Sequence, residues 1–192
     1  FNRFIRRIDV NYDTIIVIEI SRSLFDTDTE LYFICVYLPP TDSPFYDTSD
    51  HSNGISILEQ CLLELVEKFG EVSFIICGDL NSRTADKSPA CVDLTEGLLA
   101  QDDPFHTSVR KSQDNCLNDY GELLLQMCSA FDLSILNGVC NGDEDGHYTY
   151  ISQSGCSVVD YFIVSTNIAL LPQTLTVVER LDSQHLPVVC TL

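Results

Sequence analysis

Short runs of apolar residues alternate with polar connections in the first part of the chain, which is the pattern of strands joined by turns. The runs TIIVIEI at 14–20 and LYFICVY at 31–37 are rich in β-branched and aromatic residues. A polar segment of turn-forming residues joins the two runs, and Pro39-Pro40 ends the second. The pattern therefore predicts two buried strands that pair antiparallel.

A helical period replaces the strand pattern at 54–69. Apolar residues recur there at steps of three and four, which places them on one helical face: Ile55, Leu58, Leu62, Leu65 and Phe69. Gly70 follows at a position where a glycine commonly ends a helix. The next run, VSFIIC at 72–77, predicts a further buried strand that ends at Gly78.

The second half of the chain combines another helical pattern with several strand-like runs. Residues 119–131 predict a helix whose apolar face holds Leu123, Leu124, Met127, Cys128 and Phe131. A short helix is expected near 94–100. The strand-like runs are LSILNG at 133–138, HYTY at 147–150, SVVDYFIV at 157–164, TLTVVE at 174–179 and LPVVCTL at 186–192. This alternation predicts an α/β domain with a mixed sheet, in which two sheets pack together and helices lie outside.

Length and composition suit one globular domain, because the chain has 192 residues and a hydrophobic fraction of 45%. No apolar stretch reaches the roughly 18 residues that a membrane helix needs, so no membrane association is expected. The chain starts at Phe1 rather than at a methionine, and its first residues lack the pattern of a signal peptide. We therefore expect a sequence that begins inside a longer reading frame.

Nine cysteines are scattered along the chain without a Cys-x-x-Cys pair. Several lie in apolar runs, which predicts free thiols in a reducing, intracellular compartment. Zinc is a poor alternative, because the usual ligand pairs are much closer in sequence than Cys116, Cys128, Cys140 and Cys156.

The net charge of −19 is unusual for a protein that binds nucleic acid directly, because such proteins normally present a basic surface. An acidic chain would handle phosphate groups through a bound cation or through basic segments of a partner. Charge alone is also compatible with an ordinary acidic surface.

The acidic segment NGDEDG at 141–146 invites comparison with a calcium loop. Asn141, Asp143, Asp145 and Gly146 match the first half of an EF-hand loop. Ser152 stands where the twelfth position needs a glutamate, and the next residues predict a strand rather than a helix. The segment is therefore interpreted as an acidic turn.

Polar residues that could carry chemistry lie in or beside the predicted strands, mostly near their ends. They are Tyr37, Asp79, Asn81, Asp160 and His185. Rigid strands hold such residues in place, and a carboxylate in the apolar run around Asp160 needs a partner, for which His185 is the candidate. Taken singly, each residue also has a structural explanation as a turn, a strand residue or a strand cap. Their combination predicts one cleft, with Asp160 hydrogen-bonded to His185.

The order and spacing of these pieces resemble the endonuclease/exonuclease/phosphatase family, and within it the endonuclease domain of non-LTR retrotransposons. The matching segments are VYLPP at 36–40, FIICGDLNSRTAD at 74–86, LNDYGELLLQMC at 117–128, LSILNG at 133–138, SVVDYFIVS at 157–165 and SQHLPVV at 183–189. Nearly the whole chain is covered. Apurinic-site endonucleases and deoxyribonuclease I-like enzymes share the fold but resemble the linking segments less.

The resemblance implies hydrolysis of a phosphodiester by water with the help of Mg²⁺. Carried over by position, Asp79 orients or deprotonates the water and Asn81 hydrogen-bonds the scissile phosphate, and both are expected as metal ligands. His185 would contact the phosphate oxygens, Asp160 would hold His185, and Tyr37 would reach the phosphate. Asp79 and Asn81 would point the same way if the strand stayed extended beyond the preceding glycine.

Two departures from the family's pattern bear on activity. Gln184 stands where the family ends in Ser-Asp-His, and Asp182 would lie roughly 6–7 Å away along an extended strand. The family's metal-binding Glu and early Asn lie upstream of the VYLPP strand and have no match here, and Glu19 is a weak candidate because its strand comes later. We therefore expect this chain alone to be a poor catalyst.

The sequence thus predicts one domain over residues 1–192, a four-layer α/β sandwich of two packed mixed sheets flanked by helices, lacking its N-terminal strands. The implied function is Mg²⁺-dependent nicking of DNA, in a polypeptide that continues into a reverse transcriptase and acts in the nucleus if the element is active. Two alternatives stay open: a non-catalytic remnant of the same fold, and a phosphatase or phosphodiesterase acting on a small phosphoester.

Overall fold

The computed structural model describes residues 3–48, 53–89, 109–180 and 182–192, so the helix expected near 94–100 lies outside the described residues. The helices of this part are α1 (Gly54–Phe69) and α2 (Asp119–Ala130). The strands are β1 (Ile5–Ile8), β2 (Ile15–Ile20), β3 (Leu31–Tyr37), β4 (Ser73–Asp79), β5 (Leu133–Ile135), β6 (Tyr150–Ser152), β7 (Gly155–Ser157), β8 (Asp160–Ser165), β9 (Thr174–Val177) and β10 (Val188–Thr191). Short 3-10 helices lie at Arg22–Leu24, Pro44–Thr48 and Thr166–Ile168.

Six strands form the main sheet in the order β1-β2-β3-β4-β8-β5. Neighbouring strands are antiparallel except β3 and β4, which run parallel because α1 crosses over between them. The antiparallel pairing expected for the runs at 14–20 and 31–37 is confirmed as β2 and β3. β9 and β10 form a second, small antiparallel sheet, and β6 and β7 form a separate hairpin.

Both faces of the main sheet are buried. Successive residues of its central strands point to opposite sides, so each strand contributes to two hydrophobic clusters. On one side, Ile34, Ile76 and Ile163 pack with Leu62 of α1 and Leu124 of α2. On the other side, a second cluster joins the main sheet to the small sheet and includes Leu31, Ile75, Val164 and Leu175. Helices, main sheet and small sheet therefore lie in successive layers, as the predicted α/β sandwich requires.

The ends of both helices follow signals in the sequence. Asn53 and Asn118 each cap a helix, because the side-chain oxygen accepts a hydrogen bond from the backbone amide three residues on. Gly70 ends α1 with a φ of 79°, a conformation that suits glycine. The helices predicted at 54–69 and 119–131 are therefore confirmed.

Two strand predictions have the wrong bounds. HYTY at 147–150 contributes only Tyr150 to β6, and the run at 157–164 is divided between β7 and β8. The division has a local cause, because the amide of Val158 donates to the Asp114 carboxylate and the amide of Val159 donates to the Thr149 hydroxyl. Side-chain acceptors thus replace strand partners just before β8 begins.

The acidic turn and the cysteines agree with the sequence predictions. Residues 141–146 form turns around Asp143, whose fully buried carboxylate accepts hydrogen bonds from the amide and from Nδ1 of His147 at 2.8 and 2.7 Å. The cysteines in the described part of the chain are free thiols. The sulfurs of Cys35 and Cys77, on the parallel pair β3 and β4, lie 3.7 Å apart.

Candidate active site

Three of the predicted site residues lie side by side on neighbouring strands of the main sheet. Tyr37 at the end of β3 pairs with Asp79 at the end of β4, and Asp79 pairs with Asp160 at the start of β8. Because paired residues of adjacent strands share a face, the strand register alone brings these side chains together. The two carboxylates are direct cross-strand neighbours, which favours a positive partner between or beside them.

His185 supplies such a partner from the connection between β9 and β10. Its Nδ1 lies 3.0 Å from Oδ2 and 3.2 Å from Oδ1 of Asp160. Its Nε2 lies 3.9 Å from Oδ2 of Asp79. The predicted hydrogen bond between Asp160 and His185 and the predicted proximity of Asp79 to His185 are both confirmed.

Contacts with the hairpin that contains β6 hold His185 in place. Tyr150 and His185 form a backbone bridge, and the amide of Leu186 donates to the carbonyl of Thr149 at 2.7 Å. The ring of Tyr150 also packs on the imidazole, with 4.8 Å between the ring centroids. Backbone and ring contacts therefore fix a histidine that lies outside the named strands.

Asn81 reaches the site through a turn. The expected extended geometry is wrong at this point, because Asn81 has a φ of 46° and its backbone amide donates to Oδ1 of Asp79 at 3.0 Å. An aspartate commonly nucleates a turn in this way. The side-chain Nδ2 of Asn81 donates to the carbonyl of Leu38 at 2.8 Å and to Oδ2 of Asp79 at 3.3 Å. The amide oxygen is therefore the atom that Asn81 offers to a ligand.

These residues border a cavity of about 460 Å³, whose lining includes Tyr37, Asp79, Asn81 and His185. The side of Tyr37 toward solvent is open, since the residue is 52% exposed. Asp160 instead lines a neighbouring cavity of about 430 Å³ that it shares with His185 and β10. The structure thus brings four predicted residues to one cavity and links the fifth to it through the imidazole.

Asp79 is a half-buried carboxylate whose ionisation the site changes. Burial raises its pKa to about 6, and the neighbouring Asp160 carboxylate acts in the same direction. The backbone amide of Asn81 and the His185 ring lower the pKa, but they do not outweigh the burial. A bound cation would favour the ionised form of this carboxylate.

The site residues fit a divalent cation. Asp79, Asp160 and His185 each offer a ligand atom, and these atoms lie within 4.8 Å of one another. Carboxylate and amide oxygens are the protein ligands that Mg²⁺ prefers, whereas the imidazole is already engaged by Asp160. Asp79 and the amide oxygen of Asn81 are therefore the groups best suited to hold such an ion.

Two contributors carry signals that the sequence reasoning did not use. Thr149 is fully buried, and its hydroxyl accepts hydrogen bonds from the amides of Val159 and Asp160, both at 3.0 Å. Arg83 lines the cavity and forms an ion pair with the buried Asp114. The available signals were a threonine hydroxyl within the strand-like run HYTY, which is Thr149, and a basic residue directly after GDLNS, which is Arg83.

Gln184 and Asp182 are engaged away from the carboxylate cluster. Oε1 of Gln184 accepts a hydrogen bond from the Tyr150 hydroxyl at 3.0 Å. Asp182 is exposed and forms an ion pair with Arg180. Neither residue therefore takes the place of the carboxylate that the family carries before its histidine.

Glu19 lies far from the site. Its carboxylate pairs with Arg6 at 2.7 Å and accepts a hydrogen bond from the Tyr32 hydroxyl at 3.0 Å. Tyr32 is five residues from Tyr37 along β3, a distance on the order of 16 Å at ~3.3 Å per residue. Glu19 is thus a structural ion-pair residue at the opposite end of the main sheet.

The sequence of residues 31–189 matches the profile of a family described as Endonuclease-reverse transcriptase. This match runs from β3 to β10 and includes all the site residues. The chain belongs to the endonuclease–reverse transcriptase family. Membership of this family indicates a nuclease or phosphoesterase of the endonuclease/exonuclease/phosphatase type. No curated protein matches the chain in sequence.

Solved structures share the fold of this family member at low sequence identity. The endonuclease domain of TRAS1, a telomere-specific non-LTR retrotransposon, matches with a TM-score of 0.59 and 20% identity over 99% of this chain and 68% of that chain. The 3' phosphatase NExo from Neisseria, bound to a product DNA hairpin, matches with a TM-score of 0.60 and 16% identity over 97% and 69%. The AP endonuclease LMAP from Leishmania major matches with a TM-score of 0.59 and 15% identity over 93% and 54%.

No helix in the described part of the chain is long and apolar enough to span a membrane.

Proposed function

We propose that this domain cleaves a phosphodiester bond of DNA by attack of water, assisted by Mg²⁺, and leaves a nick in one strand. The observation that carries the proposal is the convergence of Asp79, Asn81 and His185 on one cavity, with Asp160 hydrogen-bonded to the imidazole. A base, oxygen ligands and a hydrogen-bond donor are the groups that such a reaction needs.

We assign Asp79 two roles: it is a ligand of the cation and it accepts a proton from the attacking water. Its pKa of about 6 leaves it mostly ionised at neutral pH, yet basic enough to accept a proton from water that is being activated. Asn81 is assigned to the cation rather than to the phosphate, because its Nδ2 already donates to Leu38 and Asp79. The cation, when bound, supplies charge neutralisation at the phosphate.

His185 is assigned to the phosphate oxygens. Asp160 accepts a hydrogen bond from Nδ1–H of the ring, which orients the imidazole and leaves Nε2 on the side of Asp79. In its doubly protonated form the ring donates from Nε2 to an oxygen that gains charge during the reaction. Tyr37, paired with Asp79 across the strands, donates its hydroxyl to the same phosphate group.

The substrate and setting follow from family membership. The TRAS1 endonuclease domain belongs to a retrotransposon, and the NExo structure holds a DNA hairpin, so DNA is the proposed substrate here. The parent polypeptide would continue into a reverse transcriptase and work in the nucleus. A basic polymerase and the cation would offset the net charge of −19. Residues 1–192 are proposed to belong to one such domain.

Gln184 favours a second candidate, a remnant of the same fold without catalytic activity. Its side-chain oxygen accepts a hydrogen bond from Tyr150, and the side chain has no charge to attract a cation. Losing one preorganised electrostatic group typically lowers a rate by ~10²–10³. The chain alone is therefore proposed to nick DNA only near background.

Nicking of a supercoiled plasmid in Mg²⁺ tests both candidates. Four proteins are compared: this chain and a version extended upstream, each with Gln184 and with Gln184→Asp. Asp79→Ala in every background is the control for contaminating nucleases. Hydrolysis of bis(p-nitrophenyl) phosphate by the same proteins reports on action toward a small phosphodiester.

Metal-dependent nicking that Asp79→Ala abolishes in any of the four proteins supports the nuclease. Activity in the extended forms only would show that an upstream ligand is needed, and activity in the Gln184→Asp forms only would place the defect at that substitution. Robust nicking by the unextended Gln184 chain would contradict the expected impairment. Inactivity of all four would favour the remnant.

A further inference from the structure

One arginine and no lysine line the cavity that holds the candidate site residues. The chain has ten lysines and arginines, and all of them fall within the described residues. Of these, only Arg83 lines the cavity that holds Asp79, Asn81 and His185. In a chain with a net charge of −19, Arg83 carries the one permanent positive charge among the residues that line this cavity.

A buried carboxylate fixes the Arg83 side chain. Nε and Nη2 of Arg83 donate to the two oxygens of Asp114 at 2.8 and 2.6 Å, in the bidentate geometry that orients a guanidinium best. Asp114 also accepts hydrogen bonds from the amides of Cys116 and Val158 at 3.0 and 3.1 Å. Asp114 thus has four hydrogen-bond donors around it, and these contacts hold the carboxylate that orients Arg83.

The backbone of Arg83 is fixed as well. Its amide donates to Oδ1 of Asn118 at 2.9 Å, and its carbonyl accepts from the amide of Asn118 at 3.0 Å. Asn118 is the N-cap of α2, and Gly121 in the first turn lets that helix approach the Arg83 carbonyl. Both ends of the residue are thus held before any ligand arrives, so little conformational entropy remains to be lost on binding.

The guanidinium still has capacity to bind a ligand. Two of its five N–H groups face Asp114, and three are left for other acceptors. The side chain of Arg83 is 34% exposed, whereas that of Asp114 is 2% exposed. A purely structural ion pair does not require that its arginine be partly exposed and line the cavity that holds Asp79 and His185.

We propose that Arg83 binds a phosphate group of the substrate and that Asp114 is its positioning residue. The inference rests on the proposed function and adds to it the residue that attracts the phosphate before the cation and His185 act on it. A planar fork of N–H groups matches phosphate oxygens, which a lysine cannot reproduce. The substrate class is a polyanion with phosphodiester groups, as in DNA.

A pair of double variants isolates this role. Arg83→Gln with Asp114→Asn removes both charges and leaves hydrogen-bonding groups in the buried site, so the net charge is unchanged. Arg6→Gln with Glu19→Gln makes the same change in another bidentate pair, at the far end of the main sheet. Binding of a fluorescein-labelled 20-base-pair duplex is measured by anisotropy in EDTA from 50 to 200 mM KCl, with circular dichroism as the check on folding.

Arg83→Gln with Asp114→Asn should weaken binding about tenfold, because one charge-assisted contact is lost. The slope of log K against log[KCl] should fall by about 0.9, the amount expected for one phosphate contact. Asp114→Asn alone should keep the slope while weakening binding, since the charge remains but is no longer oriented. Arg6→Gln with Glu19→Gln should change neither quantity.

Unchanged affinity and slope in the folded Arg83→Gln, Asp114→Asn protein would overturn the inference while leaving the proposed function intact. If that protein does not fold, Arg83→Lys takes its place, and the expected result is weaker binding with the slope retained. Unchanged affinity in Arg83→Lys would then overturn the inference. Absence of salt-dependent DNA binding by the unsubstituted chain would overturn the inference and the proposed function together.

Discussion

Asp79 experiences opposing influences on its charge. Burial raises its pKa to about 6, whereas the Asn81 amide and His185 favour the ionised form. In the unfolded chain the same carboxyl would ionise near its ordinary value of 3.8. The folded protein therefore holds this proton more tightly, so the contribution of Asp79 to stability is greatest in acid and is lost as the pH rises through about 6.

Asp79→Asn should stabilise the metal-free domain at pH 8, because the amide removes a buried charge and keeps an acceptor for Asn81. The expected gain in the free energy of unfolding is about 2–3 kcal/mol, and it should fall below about 1 kcal/mol at pH 4, where the Asp79 carboxyl of the folded protein is protonated. Urea denaturation in EDTA at the two pH values measures it. If Asp79→Asn destabilised the domain equally at both pH values, the ionised carboxylate would not be what destabilises the folded protein.

Bound Mg²⁺ should turn the ionised Asp79 carboxylate from a destabilising group into a stabilising one. If the cation binds with a Kd of about 1 mM, 10 mM Mg²⁺ at pH 7.5 should raise Tm by about 3–5 °C. Below pH 6 protons compete for Asp79, so the shift should shrink at pH 5. Thermal unfolding with and without the ion measures both effects. Asp79→Asn should abolish the shift, and Asp86→Asn, at an exposed acid, should leave it unchanged.

Residue types at strand ends predicted which side chains lie close together, and local backbone geometry was harder to foresee. Asp160 and His185 could be paired from the cost of burying a lone carboxylate, and their contact is confirmed. Asn81 was placed by strand alternation, but a turn through the Asp79 carboxylate brings it to the site instead. A sequence does not show which backbone amide a side chain will accept, so such turns escape pattern-based reasoning.

At the scale of elements, predictions succeeded where burial has a clear period. The helix at 54–69 and the strand at 31–37 were predicted with the observed bounds, because a full apolar face repeats along each. The composition of the run at 157–164 is uniformly strand-like and predicts one strand. Hydrogen bonds to the side chains of Asp114 and Thr149 divide this run into two strands. Those acceptors lie outside the run, so its own pattern of apolar residues does not show them.

Thr149→Val should destabilise the domain by about 3 kcal/mol. The substitution keeps the shape of the side chain but leaves the buried amides of Val159 and Asp160 without an acceptor. Since those amides set the start of β8, nicking should fall as well. Chemical denaturation measures the loss of stability. Thr176→Val, at an exposed strand position, is the matched control and should change stability by less than about 0.5 kcal/mol.

Gly121→Ala should move α2 away from the connection that follows β4. A methyl group there would lie 1.9 Å from the carbonyl oxygen of Arg83, and the backbone cannot yield cheaply. We expect a loss of about 3 kcal/mol in stability, measured by urea denaturation. Gly70→Ala is the control, because its added methyl meets open space and costs only the left-handed conformation, about 1 kcal/mol. Equal losses in the two variants would contradict a close approach of α2.

At the scale of the whole molecule, the site depends on both sheets. Tyr37, Asp79 and Asp160 belong to the main sheet, whereas His185 lies in the connection that leads into β10 of the small sheet. The second hydrophobic cluster joins the main sheet to the small sheet, and thus the elements on either side of the site. The layered fold was predictable from alternating helices and strands, but the docking of the small sheet depends on contacts that no local pattern encodes.

Val189→Lys should reduce aggregation of the isolated chain. Within the described residues β10 pairs only with β9, and Val189 is 50% exposed there. A charged side chain on such an edge discourages pairing with another chain. Light scattering during incubation at 37 °C measures aggregation, and Tm should stay within about 1 °C because the position is exposed. Faster aggregation of the lysine variant would exclude this edge as the cause.

The register that aligns Tyr37, Asp79 and Asp160 sets a condition on the gene. Insertion of one codon within β4 would turn Asp79 to the opposite face, since side chains alternate along a strand. Insertion of two codons would restore the face but displace the carboxylate by roughly 6–7 Å, out of reach of His185. Related genes should therefore differ in length within connections such as residues 21–30, and keep the codon count of β3, β4 and β8 constant.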